Sequence, residues 1–398
     1  MTDQDSAAIS TAAKLLGKFG IEAGFIVPTA TGLSKAIMDA TWPLREHLAR
    51  KGFHDYQLQG QGPDCKRVVD GMFVRPDGTV RVRVSLYRPV TKDGDPRIWI
   101  SNLCSFAAPG DVLALIVDCQ NLFILNCSQG NPETQLADKS SPLGKLVSRL
   151  DIYAAPAAEL LSKLKVLGAK GFVPSERGGD TGIGYTLESH LGIAANSSKS
   201  PDFNGIEIKS GRLLRGGNGG RHITLFSQIP KRNISPFSAR QALETFGYRD
   251  PQTNRLQLFC SIDARVANSL GFQLDHLPDT NNLAACNSKT LPKNSPVFLW
   301  LLSELRTSFA AKHRESFWVA AEVLKVNGIE HFHFVRARHT RTPPLSTFDR
   351  LLASGGICLD LTMSEKGVAA VRDHGYLFRV YASSFDELFP EVGVYQLA

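Results

Sequence analysis

Apolar residues in the first fifty positions recur at helical spacing: Ala12, Leu15, Leu16 and Phe19 form one stripe, and a second runs from Leu33 to Leu48. From about residue 66 to 127 the period shortens to that of strands. Val68–Val74 and Val80–Val90 flank Pro76-Asp77-Gly78, a turn signal that closes a hairpin. In the second run Val80, Val82, Val84 and Leu86 point one way, while Arg81, Arg83, Ser85 and Tyr87 point the other. Val112–Val117 and Leu122–Leu125 complete a small β-rich unit.

The polar segment Ser128–Ser141, broken by Gly and Pro, reads as a linker. A chain of 398 residues exceeds one ordinary core, so two domains are expected, 1–140 and 141–398. In the second, Pro156–Leu167 is helical, a glycine-rich loop spans Ser175–Gly184, and a short helix lies around Tyr185–Leu191. Gly205–Ser210 and Ile223–Ile229 read as strands, and Val297–Ala311 as a helix. Phe317–Val326 and Ile329–Arg338 form a hairpin around Asn327-Gly328, after which strands and turns alternate.

Composition adds modest constraints. With 43% hydrophobic and 21% charged residues the chain is of ordinary globular type. Its net charge of +7 is compatible with a polyanionic partner without requiring one. The seven cysteines are scattered without a CxxC pair, as expected of reduced thiols in a cytoplasmic protein, and do not suit zinc. The start, MTDQDSAAIS, lacks the pattern of a secretion signal. No apolar run approaches the ~20 residues of a membrane span, so no membrane partner is expected.

The densest chemistry lies in Pro201-Asp202-Phe203-Asn204-Gly205-Ile206-Glu207-Ile208-Lys209. Asp202 opens a strand on which Glu207 and Lys209 share one face, while Ile206 and Ile208 anchor the other. Phosphodiester hydrolysis needs a deprotonated water and neutralised charge on phosphorus, and Mg²⁺ held by one or two carboxylates provides both. Lys209, a mobile point charge, can orient the water or stabilise the phosphorane. By itself, Glu-x-Lys on a half-exposed strand is also what a cross-strand charge pair looks like. Glu188, on the short helix upstream, adds a third acid, and Ile223-Thr224-Leu225-Phe226-Ser227 a second apolar strand.

The succession GYTLE, LGI, Asn196, PDFNGIEIKS and ITLFS, with the late segment Val371-Arg372-Asp373-His374-Gly375, resembles the MvaI/BcnI group of restriction endonucleases. That group is related to the nicking enzyme MutH. The resemblance runs from about Gly171 through Arg379. It implies an α/β PD-(D/E)xK nuclease core, a mixed central sheet flanked by helices; the N-terminal β-rich domain, read from the residues above, is expected to be separate from it. The resemblance implies that Asp202 and Glu207 bind Mg²⁺, or Mn²⁺ in its place, that Lys209 is the catalytic lysine and that Glu188 is a supporting acid. The reaction implied is in-line attack of water on a double-stranded DNA phosphate, leaving 5′-phosphate and 3′-hydroxyl ends. A cognate DNA methyltransferase in the same system and action as a monomer are further expectations.

Candidate DNA contacts follow. Arg336, Arg338 and Arg341 form a basic cluster at a strand end and can pair with guanine edges or phosphates, although a solvated strand end has the same look. Arg372 and His374 are candidates through the late segment that the resembled group places near DNA, and His222 is a weaker one of the same kind. The glycine-rich stretch Arg215–Arg221 suits close backbone approach to phosphates or a hairpin tip. Arg81 and Arg83 give the first domain a basic face, read either as a second DNA-binding module or as part of a scaffold. A restriction-type endonuclease is the leading expectation. A strand-nicking repair enzyme and an inert DNA-binding or modification-sensing protein are the alternatives.

Overall fold

The computed structural model describes residues 3–179, 181–193, 200–213, 222–366 and 370–398, the side chains of Asp3, Lys92 and Asp373 excepted. The chain divides into two compact units, Met1–Ala154 and Ala155–Ala398.

In the first unit the N-terminal stripe forms α1 (Asp3–Lys18), which buries Ala12 and Leu16. The second stripe is not one helix: β1 (Gly24–Ile26), α2 (Ala30–Lys35), β2 (Ile37–Asp39) and α3 (Trp42–Arg50) share it. Ala36, at φ 53°, ends α2 in the left-handed region, and Pro43 lies in the first turn of α3, where its missing N–H is harmless. The expected hairpin is β3 (Arg67–Arg75) and β4 (Gly78–Tyr87), closing with Arg75 opposite Gly78. Val82, Val84 and Leu86 are buried while Arg81 and Arg83 are exposed, as alternation requires. Ser85, on the arginine face, is nonetheless buried. With β5 (Arg97–Ile100), β6 (Leu113–Asp118) and β7 (Asn121–Asn126) the seven strands follow the order β1-β6-β7-β3-β4-β5-β2, and only β3 and β7 run parallel.

The stretch Ser128–Ser141, expected as a linker, folds instead. It carries α4 (Pro132–Ala137), whose Leu136 is buried in one cluster with Leu16 and with Leu143 and Leu146 of α5 (Pro142–Leu150). A polar surface with a few apolar anchors disguises such a helix as a loop. The division between the units falls at Ala154 rather than at residue 140.

The second unit opens with α6 (Ala154–Gly168), β8 (Val173–Pro174) and α7 (Gly182–His190), then β9 (Glu207–Arg212) and β10 (His222–Ser227). Next come α8 (Ala239–Phe246), β11 (Tyr248–Arg249), β12 (Leu256–Ile262), β13 (Phe272–Leu277), β14 (Asn282–Asn287) and β15 (Ser295–Leu301). The run expected as one helix from Val297 splits: Val297–Leu301 lies in β15, paired with β14, and α9 (Leu302–His313) starts only afterwards. A short apolar run fits either state, and strand pairing decides it here.

β16 (Glu315–Val326) and β17 (Ile329–Arg341) form the predicted hairpin, with Asn327 and Gly328 at φ 50° and 83°, as a type I′ turn demands. Beyond them lie α10 (Leu345–Ser354), β18 (Ile357–Lys366), β19 (Ala370–Tyr381), α11 (Phe385–Leu388) and β20 (Glu391–Gln396). Among the described residues three sheets result: β20-β17-β16-β9 with β8 on β17, β10-β19-β18-β12-β11, and β13-β14-β15. A large aromatic core joins elements of the last two with α9 and α10; Phe226 stacks on Phe378 at 5.0 Å and Phe309 on Phe348 at 4.5 Å. The unit is mixed α/β.

Candidate active site

The acidic run sits at one edge of its sheet. β9 pairs with β16 in parallel, placing Ser316 opposite Glu207 and Trp318 opposite Lys209. Asp202 does not open that strand. Phe203 and Ile206 exchange backbone hydrogen bonds of 2.9 and 2.8 Å around Asn204 and Gly205, at φ 46° and 84°. This is a tight turn of the Asn-Gly kind, and the two residues that flank its closing pair are Asp202 and Glu207. The Asp202 carboxylate then accepts the Ile208 N–H at 2.9 Å, which fixes it against the strand.

Glu207 is wholly buried, as are its neighbours Ile206 and Ile208. The expected half-exposed strand is therefore covered on both faces at this point. One carboxylate oxygen, Oε1, faces two ammonium groups, Lys209 Nζ at 2.6 Å and Lys312 Nζ at 3.1 Å. The other, Oε2, is buried and has no hydrogen-bond partner among the described residues. Burial pushes the Glu207 carboxyl up from its ordinary range and Asp202 adds to the rise, against the pull of Lys209 and Lys312. Glu188 on α7 is raised too, by its own half-burial first and then by Asp202 and Glu207, with Lys209 opposing. The packing of α7 on β9, close enough for a methyl on Gly184 to meet Ser210 Oγ at 3.7 Å, brings that acid in.

Asp202, Glu207, Lys209 and Glu188 are thus brought into one electrostatically coupled group. Among the described residues no three His, Cys, Asp or Glu side chains form a ready metal cluster. A hard cation such as Mg²⁺ needs only one or two carboxylates, since water and phosphate oxygens complete its shell. The orphaned Glu207 Oε2 and the carboxylate of Asp202 suit that demand. Lys312 was missing from the sequence reading, because it lies a hundred residues away on a helix with no motif to mark it.

The proposed DNA contacts fare differently. Arg336 is exposed on β17. Arg338 is engaged by Asp386 and Glu391, each at 2.6 Å, and lies over the Phe385 ring. Arg341 is a correction. β17 runs past Arg338 into the interior, where Arg341 is buried and donates to Glu315 Oε1 at 2.7 Å, with His339 on the same oxygen, so it presents no face to DNA. Arg372 and His374 are exposed, and His374 lies 3.3 Å from Ser364 Oγ and edge-on to Phe259. His222 packs edge-on against Tyr381. Arg83 is open on the first unit, while Arg81 pairs with Asp70. Asn196 and Arg215–Arg221 lie outside the described residues.

The sequence pattern of the MvaI/BcnI restriction endonuclease family matches residues 161–389, more than half of the chain and the whole of this site. The chain belongs to the MvaI/BcnI restriction endonuclease family. Its members are DNA-hydrolysing enzymes. The structure of restriction endonuclease MvaI with its cognate DNA is similar in fold, with a TM-score of 0.50 and 21% identity over 61% of this chain and 98% of that one. MvaI in the absence of DNA matches at 20% identity with a TM-score of 0.35, over 61% of this chain and 98% of that one. No curated protein matches. No helix among the described residues is long and apolar enough to cross a membrane.

Proposed function

We propose that this member of the family is a sequence-specific, Mg²⁺-dependent endonuclease acting on double-stranded DNA. The observation that carries the reading is the buried Glu207, with one oxygen turned to Lys209 and the other without a hydrogen-bond partner among the described residues. An unsatisfied buried acceptor costs free energy, and a cation bound there would recover it. Asp202 and Glu207 are the residues to hold the cation, which when bound supplies Lewis acidity toward the phosphate and acidifies water.

The protein's own groups do the rest. The Asn-Gly turn holds the two carboxylates in register, and the Ile208 N–H stops Asp202 from swinging away. Lys209, about one-third exposed and 2.6 Å from Glu207 Oε1, is the group we assign to a phosphate oxygen or to the attacking water. Its ammonium neutralises charge that grows as the pentacovalent phosphorus forms. Exposed Arg336, Arg372 and His374 are the side chains on this unit we assign to DNA contact. Cleavage leaves 5′-phosphate and 3′-hydroxyl ends in this scheme.

The test is incubation with supercoiled plasmid and genomic DNA plus Mg²⁺, followed by sequencing of the ends. Discrete linear fragments with one shared end sequence are expected, and Asp202→Ala and Lys209→Ala are expected to fold without cutting. Persistent open circles would instead indicate nicking. DNA affinity with no cutting under any divalent cation would sink the reading.

A further inference from the structure

Two lysines meet one oxygen of Glu207, and the site chemistry above uses only one of them. Lys209 comes from the same strand as Glu207 and is the more exposed of the pair, at 31% against 20% for Lys312. Lys312 approaches from the last turn of α9. Its placement is built in several ways. The next residue, His313, is fully buried and pinned at both ring nitrogens, 3.0 Å from the Leu225 carbonyl of β10 and 3.1 Å from Ser316 Oγ. Its ring stacks on Trp318. Ser316 is the residue opposite Glu207 in the β9–β16 ladder. The helix end, the imidazole and the carboxylate are therefore tied to one register, which fixes the backbone from which Lys312 reaches Oε1.

Lys209 has more. If it is to meet a phosphate or a water, its ammonium must give up part of its hold on Glu207. Without another cation, that movement would leave a buried carboxylate oxygen uncompensated, at a cost that favours keeping Lys209 where it is. We infer that Lys312 is a positioning residue: it retains Oε1 of Glu207 from α9, so that Lys209 can turn to the substrate. This inference rests on the nuclease reading of the same site.

The experiment compares wild type with Lys312→Met, Lys312→Arg and Lys209→Met. Single-turnover plasmid cleavage in Mg²⁺ is measured beside DNA affinity and thermal melting in the absence of divalent metal. Side-chain ammonium signals of the metal-free protein are followed by nitrogen-15 NMR, with and without Glu207→Gln. Lys312→Met is expected to slow cleavage about 10- to 100-fold, the usual effect of removing a residue that orients a site ligand. Metal-free DNA affinity and melting are expected to stay near wild type, Lys312→Arg to recover most of the rate, and Lys209→Met to lose it entirely. The Lys312 signal is expected to move when Glu207 is neutralised. Wild-type cleavage by Lys312→Met, an unmoved Lys312 signal, or loss of rate only in step with loss of melting temperature and without rescue by arginine would each overturn the inference while leaving the nuclease reading intact. An inert wild type would remove both.

Discussion

Glu207 shows how far one side chain can be pushed from where water would put it. Its carboxyl is raised in the folded chain, so the folded state holds that proton more tightly than the unfolded one does. The contribution of Glu207 to metal-free stability should therefore be full at low pH and be lost as pH climbs from the ordinary value of 4.5 through the raised one, with Glu188 acting in the same sense. Glu207→Gln is expected to flatten that loss and to melt no lower than wild type at neutral pH, while abolishing plasmid cleavage. A markedly lower melting point would show the carboxylate to be a stabilising ion pair instead. The arginines separate by the same logic. Arg336→Ala is expected to weaken DNA binding in a gel-shift titration with melting unchanged. Arg338→Ala should cost about 0–1 kcal/mol of stability for each partly exposed pair it breaks, with the smaller effect on binding.

At the scale of elements, the turn Phe203–Ile206 matters as much as the strand it feeds. Gly205 sits at φ 84°, where a side chain costs about 1 kcal/mol or more. Gly205→Ala is expected to lower stability by about that amount and cleavage by a larger factor, because a distorted turn moves Asp202 off the Ile208 N–H. Equal activity per folded molecule would show the turn to be a mere connection. The strand itself was legible from Ile206, Glu207, Ile208 and Lys209, and the β16–β17 hairpin from Asn327-Gly328. The same dipeptide at Asn204-Gly205 went unread, so Asp202 was placed on the strand rather than across a turn from it. Val297–Leu301 misled because apolar runs of that length carry no period. Lys312 and the burial of Arg341 were beyond local pattern altogether, since both depend on which distant strand the segment meets. His313 belongs with them: burial depresses its imidazole to about 3, with Lys209 and Lys312 adding to the effect. The unfolded chain takes that proton near 6.5, so stability is lost as pH falls through this window, and His313→Gln should blunt the loss in acid-denaturation curves.

The whole molecule distributes its charge unevenly. The first unit holds 17 Lys and Arg against 16 Asp and Glu, while the second holds 28 against 22. The positive excess thus travels with the site and not with the hairpin arginines Arg81 and Arg83. Each unit also encloses its own buried clusters. A fragment of residues 155–398 is expected to fold and to keep most of the salt-dependent DNA affinity, with a slope of log affinity against log salt close to that of the full chain. A flat slope for the fragment would place the phosphate contacts in the first unit.

The ladder between β9 and β16 carries one more implication. Glu207 leaves the ribosome long before Ser316, its neighbour in the finished sheet. A nascent polypeptide that has reached Lys209 owns every acid of the candidate centre and still lacks the strand that buries them and the helix that brings the second lysine. On the proposed reading, chains truncated before β16 are expected to be inert in a plasmid assay, since they lack the strand and the helix that complete the centre.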